Sequence, residues 1–383
     1  MNFNDLPIEA VSVRTMLEDN HFACLAQGLA GTLVAQTQLY ALASTPARRD
    51  RIDALITAAV NAVRTQALEI NLWSGLVGIL YAFEFARSVD ATLLPPVVSE
   101  FVDDMDEQLA NYVAEQGKAL HFDLISGVSG IGAYALMRTD LAAARELYSV
   151  VESVLTQMSS HNAHGREWVT QPKYLGRLAP SASRIHGHVD LGIAHGLPGV
   201  VLLLAGALKH QIATPTTTTL LREATTALLA YRNTPVDGSC YPYYTEQQSQ
   251  SGSRLAWCYG DLGAGFAIHA AATVLADPVW LAAGHAIAHQ RISQPSSTFG
   301  FSDYALCHGD AGTLHLARKL SACAVAPDYA TFIGERLAVL ANAPSHYDLA
   351  PGLLEGSCGI LAMKSDTPQQ GRHRWDVCLC LGF

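Results

Sequence analysis

The sequence has little charge, and its charges do not cluster. Only 15% of the 383 residues are charged, the formal net charge is -10, and Lys and Arg form no long run. This composition argues against a nucleic-acid-binding surface and against a polybasic membrane anchor. Half of the residues are hydrophobic, which is typical of a compact globular protein with a sizeable core.

Long apolar segments and targeting signals are also missing. No apolar run reaches the roughly 18 residues that a membrane span needs, and the N-terminal stretch lacks the charged-then-apolar pattern of a signal peptide. We therefore expect a cytoplasmic protein without a transmembrane segment. In that reducing compartment, the eight cysteines are expected to be buried thiols or metal ligands rather than disulfides.

Several familiar catalytic motifs are absent. The chain contains no phosphate-binding GxxxxGK[ST], no dinucleotide fingerprint and no CxxC pair. The stretch "SGVSG" lacks the G-x-S-x-G spacing of a nucleophilic serine. Strand-like alternation is scarce as well, so the secondary structure is predicted to be helical.

What the sequence does contain is a repeated glycine phrase followed by an apolar run. The first glycines of the seven copies lie 47 to 69 residues apart, at Gly28, Gly75, Gly127, Gly196, Gly260, Gly309 and Gly356. The apolar runs predict helices buried on all sides, and amphipathic stretches between them predict an outer layer. The repeat therefore predicts seven helical hairpins.

The ends of the repeat indicate how the hairpins are arranged. The first and last phrases resemble the middle ones, whereas an open solenoid normally ends in atypical polar caps. We therefore predict a closed, all-α, α/α toroid with inner and outer helix layers. No break in composition marks a second domain, so residues 1–383 are predicted to form one. The glycines are expected to allow positive φ at the turns and close packing of the helix starts.

In such a ring, the starts of the inner helices gather at one end of the axis. Residues beside the glycine phrases are then expected to meet: Asp123, His195, Arg254, Cys258, Tyr259, Cys307 and His308. Two thiolates and an imidazole suit Zn²⁺, and three protein ligands leave a fourth position for water or substrate. Spacing alone is a weak signal, because the two cysteines are 49 residues apart. The repeat geometry makes the zinc site the favoured interpretation.

Other cysteines and histidines have simpler interpretations. The histidines of "RIHGHVD", His186 and His188, could bind metal, but a polar loop is favoured. Cysteines near the end of the chain lack nearby histidines and are predicted to be packed thiols, namely Cys378 and Cys380. Two histidines inside apolar helices are predicted to be hydrogen-bonded core residues, namely His269 and His315.

The phrases "LGIAHGLPG", "WCYG", "LCHGDAG" and "LLEGSCGI", in this order, resemble those of the lanthionine synthetase C-like family. The similarity runs from the first glycine phrase to the seventh. Standalone bacterial members of this family are the cyclases of class I lanthipeptide biosynthesis. The resemblance implies a double α-toroid with one zinc ion. It also implies addition of a cysteine thiol to a dehydroalanine or dehydrobutyrine of the same peptide, which gives lanthionine or methyllanthionine rings.

The same resemblance assigns site residues by matching motifs. The family's zinc ligands fall on Cys258, Cys307 and His308, and its acid/base histidine falls on His195. Asp123, Arg254 and Tyr259 match further active-site positions, although Asp123 could instead cap the following helix. Two features depart from the family pattern. Leu262 stands where many members have proline, and the loop before "HVDLGIAHG" has no clear counterpart, which leaves peptide selection open.

The chemistry suits these residue types. A free cysteine thiol has a pKa near ~8.5, and a zinc-bound thiol loses its proton. Attack on the β-carbon leaves an enolate that must be protonated at Cα, and His195 is the best donor because histidine titrates near neutral pH. Asp123 could hold this imidazole, Arg254 could stabilise the enolate oxygen or orient His195, and Tyr259 could hydrogen-bond nearby.

The expected partner is a dehydrated precursor peptide with its leader. A cognate dehydratase and a peptide exporter are further candidate partners, and such a complex would bring the protein to the membrane periphery. Two rival functions use the same zinc site: addition of glutathione or another thiol to dehydroamino acids, and a non-catalytic, zinc-stabilised scaffold that binds a peptide. A zinc hydrolase is a weaker rival, because it usually has histidine and carboxylate ligands.

Overall fold

The computed structural model describes residues 23–175, 181–235, 238–245, 252–301, 303–322, 327–342, 351–366 and 374–383. Its α-helices are α1 (Leu29–Leu42), α2 (Pro46–Thr65), α3 (Leu76–Val89), α4 (Pro96–Gln116), α5 (Val128–Met137), α6 (Leu141–Met158), α7 (Ser181–His186), α8 (Leu197–Lys209), α9 (Thr217–Ala230), α10 (Asp261–Leu275), α11 (Pro278–Ile292), α12 (Asp310–Ser321), α13 (Pro327–Ala341) and α14 (Ser357–Lys364). Within these ranges the strands form one antiparallel hairpin, β1 (Ser160–Asn162) with β2 (Gly165–Glu167).

Seven helices form a closed inner ring. They are α1, α3, α5, α8, α10, α12 and α14; each contacts the next, and α14 contacts α1. Every one of them begins directly after a predicted glycine, which is its N-cap residue. In α1, all residues from Leu29 to Leu39 are buried. The predicted α/α toroid is therefore confirmed.

The outer layer consists of helices with one apolar face. In α2, the buried side chains follow the helical period at Ile52, Leu55, Ile56 and Ala59, whereas most of the others face solvent. Five further helices take the same outer position, namely α4, α6, α9, α11 and α13. An outer partner of α14 is not among the described residues. That residues 1–383 form a single domain stays a prediction.

The N-cap glycines are required more for close packing than for unusual backbone angles. Only Gly260 among the seven N-cap glycines has a positive φ, at 104°. The others lie between -112° and -135°, so the expectation of positive φ was wrong for them. A Cβ atom on Gly127 would lie 2.3 Å from the carbonyl oxygen of His121, and one on Gly196 would lie 2.2 Å from that of Asp190. Each helix start thus packs against the turn before it.

The C-terminal segment occupies the axis of the ring. Its 3-10 helix, Trp375–Leu379, is buried and contacts α1 and α5. On α3, the Tyr81 hydroxyl donates to the Trp375 carbonyl oxygen at 3.0 Å. On α12, Lys319 forms an ion pair with Asp376 at 2.7 Å. Among the described ranges, no helix is long and apolar enough to cross a membrane.

Candidate metal centre and active site

Backbone hydrogen bonds join the turns that precede the inner helices. They connect the residues two positions before the N-cap glycines. The Ala194 amide donates to the Cys258 carbonyl at 3.4 Å, and the Cys258 amide donates to the Cys307 carbonyl at 3.1 Å. The series continues from Cys307 to Leu354, from Leu354 to Ala26 and from Ala26 to Trp73. The two cysteines are therefore neighbours in this ring although they are far apart in sequence.

The three predicted metal ligands lie together. One donor atom from each of Cys258, Cys307 and His308 lies within 4.8 Å of the other two. The His308 Nε2 atom is 2.8 Å from an Asp303 carboxylate oxygen, which leaves Nδ1 as the ring nitrogen available to a metal. A carboxylate that fixes a ligating imidazole is a common feature of zinc sites. Two thiols, an oriented imidazole and their close spacing fit Zn²⁺.

The two cysteine thiols interact with each other. The Cys307 thiol donates a hydrogen bond to Cys258, which lowers the pKa of Cys258, and the nearby charges of Arg254 and His195 lower it further. The same interaction, together with burial, raises the pKa of Cys307. The interaction therefore favours ionisation of one of the two sulfurs, that of Cys258. Metal binding would release the second proton.

His195 and Asp123 form a hydrogen-bonded pair beside this cluster. The His195 Nδ1 atom lies 2.6 Å from the Asp123 carboxylate. Burial alone would lower the pKa of His195, but the hydrogen bond and charge of Asp123 raise it above its usual value. Asp123 is itself buried, and hydrogen bonds with His121 and His195 hold its pKa well below the usual range. The carboxylate thus stays ionised and favours a protonated His195.

The alternative role of Asp123 as a helix cap is not observed. The N-cap of α5 is Gly127, which has no side-chain cap hydrogen bond. The Asp123 carboxylate instead accepts hydrogen bonds from the Ser126 amide at 2.9 Å and from the Ser126 hydroxyl at 3.1 Å. These bonds hold the carboxylate in position within its turn, where it faces His195.

Arg254 and Tyr259 are held by neighbours that were not predicted. The Arg254 amide donates to the Tyr243 hydroxyl at 3.1 Å, and its guanidinium lies over the same ring at 5.9 Å. The Tyr259 hydroxyl donates to Asp190 at 2.7 Å, and the Tyr259 ring lies 6.4 Å from that of His195. Burial and the Asp190 charge raise the pKa of Tyr259. Its hydroxyl is therefore a fixed, un-ionised group.

Three supporting residues share one position in the repeat. His121, Asp190 and Asp303 each lie six residues before an N-cap glycine, and Arg254 occupies the same position before Gly260. In the structure, these three contact Asp123, Tyr259 and His308 respectively. Counting back from each glycine would have found them. Read one at a time, they are ordinary polar residues in turns.

The alternative metal candidates take other roles. His188 is buried, its Nε2 atom lies 3.1 Å from Asp190, and its ring stacks on Tyr244 at 4.3 Å. His186 is exposed. The thiols of Cys378 and Cys380 are free and fully buried in the axial segment, as predicted. None of these four belongs to a metal-ligand cluster within the described part of the chain.

The predicted core histidines differ from each other. His315 Nε2 lies 2.7 Å from Asp376, so His315 is a hydrogen-bonded core residue as expected. His269 Nδ1 is buried and has no hydrogen-bond partner, which contradicts the expectation for that residue. Its ring instead lies 4.7 Å from that of His285 in an edge-to-face arrangement. Burial lowers the pKa of His269 to about 4, so the imidazole is neutral at neutral pH.

A cleft of about 480 Å³ opens over the paired groups. Four of the predicted residues line it, namely Asp123, His195, Arg254 and Tyr259. The side chain of His195 is 43% exposed whereas that of Asp123 is 2% exposed. A substrate in the cleft can therefore reach the imidazole but not the carboxylate that controls it.

Comparisons with known proteins agree with this architecture. The chain aligns by structure with nisin cyclase, with a TM-score of 0.77, 19% sequence identity and coverage of 96% of both chains. At this identity the match shows a shared fold. No curated protein matches the sequence significantly. The family model for lanthionine synthetase C-like proteins matches residues 23–380, and the chain belongs to that family.

Proposed function

We propose that this protein is a lanthipeptide cyclase that closes thioether rings in a dehydrated precursor peptide. The reaction adds a cysteine S–H across the C=C bond of dehydroalanine or dehydrobutyrine. Family membership and the toroidal fold support this proposal. The observation that carries it is the placement of the His195–Asp123 pair directly beside the two-cysteine cluster. The Ala194 amide binds the Cys258 carbonyl, and the Leu124 amide binds the Ala194 carbonyl.

The proposed cofactor is one zinc ion. Cys258, Cys307 and His308 would hold it, and Asp303 would keep the imidazole oriented. When bound there, zinc would supply a Lewis acid that lowers the pKa of a substrate thiol. This soft donor set contrasts with the histidine and carboxylate ligands that are usual in zinc hydrolases.

His195 is the proposed proton donor. Formation of the S–Cβ bond breaks the C=C π bond and places negative charge on the enolate of the dehydro residue. His195 then gives a proton to Cα. The thiol releases its proton to solvent and His195 takes one up from solvent, so the addition balances and the acid is restored. Asp123 binds Nδ1 and leaves Nε2 of the exposed imidazole for substrate. The raised pKa of His195 keeps this donor protonated near neutral pH.

Arg254 and Tyr259 complete the proposed site. Arg254 carries a permanent charge beside the cleft and favours the ionised form of Cys258, so it can also stabilise the enolate. The Tyr259 hydroxyl donates its hydrogen bond to Asp190, so the phenol shapes the cleft rather than acting as an acid. The guanidinium supplies electrostatic stabilisation and the phenol supplies a rigid wall.

The proposed place of this reaction in the cell follows from the chemistry of the substrate. A dehydratase must first convert serine or threonine of the precursor peptide to the dehydro residues that the cyclase consumes. We place this step in the cytoplasm, on a precursor that still carries its leader, before an exporter removes the product from the cell. Contact with dehydratase and exporter would bring the protein to the membrane periphery.

A cyclisation assay tests the proposal. A synthetic peptide with one dehydroalanine and one cysteine is incubated with zinc-loaded protein, treated with N-ethylmaleimide and analysed by mass spectrometry. Ring closure leaves the peptide mass unchanged and removes the thiol that the reagent labels. We expect this loss with the wild type and with Cys24→Ala, a matched cysteine outside the cluster, but not with Cys307→Ala.

Glutathione added to the same mixture separates the rival functions. A glutathione adduct in place of the ring would identify an intermolecular thiol transferase. A peptide that binds but keeps both its thiol and its dehydroalanine would identify a scaffold. Either outcome would overturn the cyclase proposal.

A further inference from the structure

We propose that a groove beside the catalytic cleft binds the segment of the precursor peptide that flanks the reacting residues. We further propose that this groove selects a segment with both an acidic and an apolar side chain. The groove has a volume of about 590 Å³ and lies next to the cleft, with Tyr174 lining both. This inference rests on the proposed function, because it takes the substrate to be a peptide.

Lysine is concentrated at this groove. The chain has only five lysines, and two of them, Lys118 and Lys173, line this groove. Both are exposed, on a chain whose formal net charge is -10. Lys118 follows α4, and Lys173 lies in the loop that precedes α7. Two ammonium groups at one groove favour an anionic side chain of the occupant.

Apolar side chains line the groove together with these lysines. Phe122, Met158 and Val169 contribute to the groove wall. Tyr174, which also lines the groove, is 38% exposed and is one of the few large hydrophobic side chains that face solvent in the described residues. Apolar groups left exposed beside a cleft mark a surface that a partner covers.

The groove is preformed. Part of its wall, from Val169 to Tyr174, belongs to the insertion, which we define as residues 159–175 and 181–190. The Trp168 indole donates to the Leu155 carbonyl at 2.8 Å, and the Tyr174 hydroxyl donates to the Ala119 carbonyl at 2.7 Å. The Thr170 hydroxyl donates to Asp190, which also binds the catalytic-turn residue Tyr259. A wall fixed in this way loses little entropy when a peptide binds.

The test measures binding, so it does not depend on turnover. Three peptides with a neutral dye share the core Ser-Gly-Cys, in which serine stands for the dehydro residue. They continue as Leu-Asp-Leu-Glu, Leu-Gln-Leu-Gln or Leu-Lys-Leu-Lys. Fluorescence anisotropy gives the Kd of each peptide for the wild type, Lys118→Glu, Lys173→Glu and the double variant. Arg64→Glu, the same charge change on the exposed surface of α2, is the matched control.

We expect the acidic peptide to bind the wild type most tightly. Each lysine reversal should weaken its binding about 2- to 5-fold and the double variant about tenfold, with a smaller effect at high salt. The lysine peptide should gain affinity in the same variants, and Arg64→Glu should change neither. Circular dichroism and thermal melts show whether each variant is folded.

The opposite results would overturn the inference. One such result is that the wild type binds the three peptides with equal affinity, and another is that it does not measurably bind the acidic peptide. A third is that the lysine variants bind the acidic peptide as tightly as the wild type does. If the protein cyclises its peptide but does not distinguish peptides by charge, the proposed function stands and the proposed role of the groove is wrong. If the protein binds the acidic peptide selectively but does not close rings, the proposed role of the groove is supported and the cyclase function is wrong.

Discussion

His195 and Asp123 show how a buried carboxylate controls an imidazole that a substrate can reach. Asp123 is shielded from solvent and accepts hydrogen bonds from two histidines, which keeps it ionised. Its charge raises the pKa of His195 although that ring is partly shielded from water. Two predictions separate the contributions of the two residues.

Replacement of His195 by Asn should abolish most of the activity. The amide can still donate to Asp123, but it cannot carry a proton to Cα. We expect the rate of ring closure to fall about 10²- to 10⁴-fold while bound zinc is unchanged. Initial rates by mass spectrometry and metal content by elemental analysis measure the two quantities. A variant with normal metal content and nearly normal rates would show that His195 is not the acid.

Replacement of Asp123 by Asn should lower the pKa of His195. Without the charge that raises it, burial dominates and disfavours the imidazolium. Since the protonated imidazole is the active form, activity is lost as pH rises through this pKa, and the high-pH limb should move to lower pH. NMR titration of the imidazole measures the shift directly. Asp104→Asn, on the exposed face of α4, is the control, and an unchanged His195 pKa in Asp123→Asn would contradict the pairing.

The chemistry-bearing residues were predictable only where the residue type is distinctive. Cysteine and histidine beside glycine phrases suggested a metal, and "LGIAHGLPG" singled out His195. Asp190 and Asp303 do not stand out one at a time, because an aspartate in a turn usually has a local role. Only their shared place, six residues before a glycine of the repeat, marks them. Asp190 contacts Tyr259 of the neighbouring turn, whereas Asp303 contacts His308 of its own turn.

At the scale of the helices, an inner and an outer helix differ in the space around their glycines. The inner helix α12 begins against the preceding turn, and a Cβ on Gly312 would lie 1.9 Å from the Leu306 carbonyl oxygen. On the outer helix α13, a Cβ on Gly334 would have no heavy atom within 4 Å. The same substitution should therefore have opposite effects at the two positions.

We predict that Gly312→Ala destabilises the protein by about 1–3 kcal/mol, because backbone must move to admit the methyl group. Gly334→Ala should stabilise it by about 0.5–1 kcal/mol, because alanine is the better helix former and fits the space. Urea unfolding midpoints compare the two variants with the wild type. Equal effects on stability would show that close packing does not explain the repeated spacing within the glycine phrases of this chain.

The order of the inner helices was predictable from the sequence, whereas the path of the C-terminal segment was not. Each of the seven glycines marks a helix start, because an apolar run follows it directly. The segment at Trp375–Leu379 lies on the ring axis, where its carboxylate Asp376 meets Lys319 and His315. These contacts join residues that are about sixty positions apart, and no local sequence pattern predicts them.

For the molecule as a whole, burial of neutral histidines makes stability depend on pH. Burial lowers the pKa of His269 in the fold to about 4, whereas the unfolded chain has the usual value near ~6.5. Between these values the unfolded state binds a proton and the folded state does not. The contribution is therefore fully present above about pH 6.5 and is lost as pH falls through that window.

We predict that His269→Leu removes this part of the acid sensitivity. The free energy of unfolding of the wild type should fall by about 2–3 kcal/mol more than that of the variant between pH 7 and pH 4. Urea titrations at several pH values measure the difference, and carboxylate titrations are common to both proteins. Parallel pH profiles would mean that His269 is hydrated or otherwise partnered in solution.

Closure of the ring is what brings the proposed catalytic groups together. Cys258, Cys307 and His308 come from two turns, and His195 and Asp123 come from two others, yet backbone hydrogen bonds link these turns side by side. The likeness of the first and last glycine phrases to the middle ones predicted the closure, and the repeat predicted which residues would gather at one end of the ring. It did not predict individual contacts such as that of Tyr259 with Asp190, because these depend on loops of unequal length between the helices.

The most direct test of the central claim is the zinc content of the purified protein and of Cys307→Ala, measured by elemental mass spectrometry. We predict about one zinc per wild-type chain, loss of that zinc in Cys307→Ala, and full retention in His195→Asn and in the control Cys24→Ala. A folded wild-type protein that binds no zinc after incubation with the metal would contradict the assignment. It would remove the activator on which the proposed thiol chemistry depends.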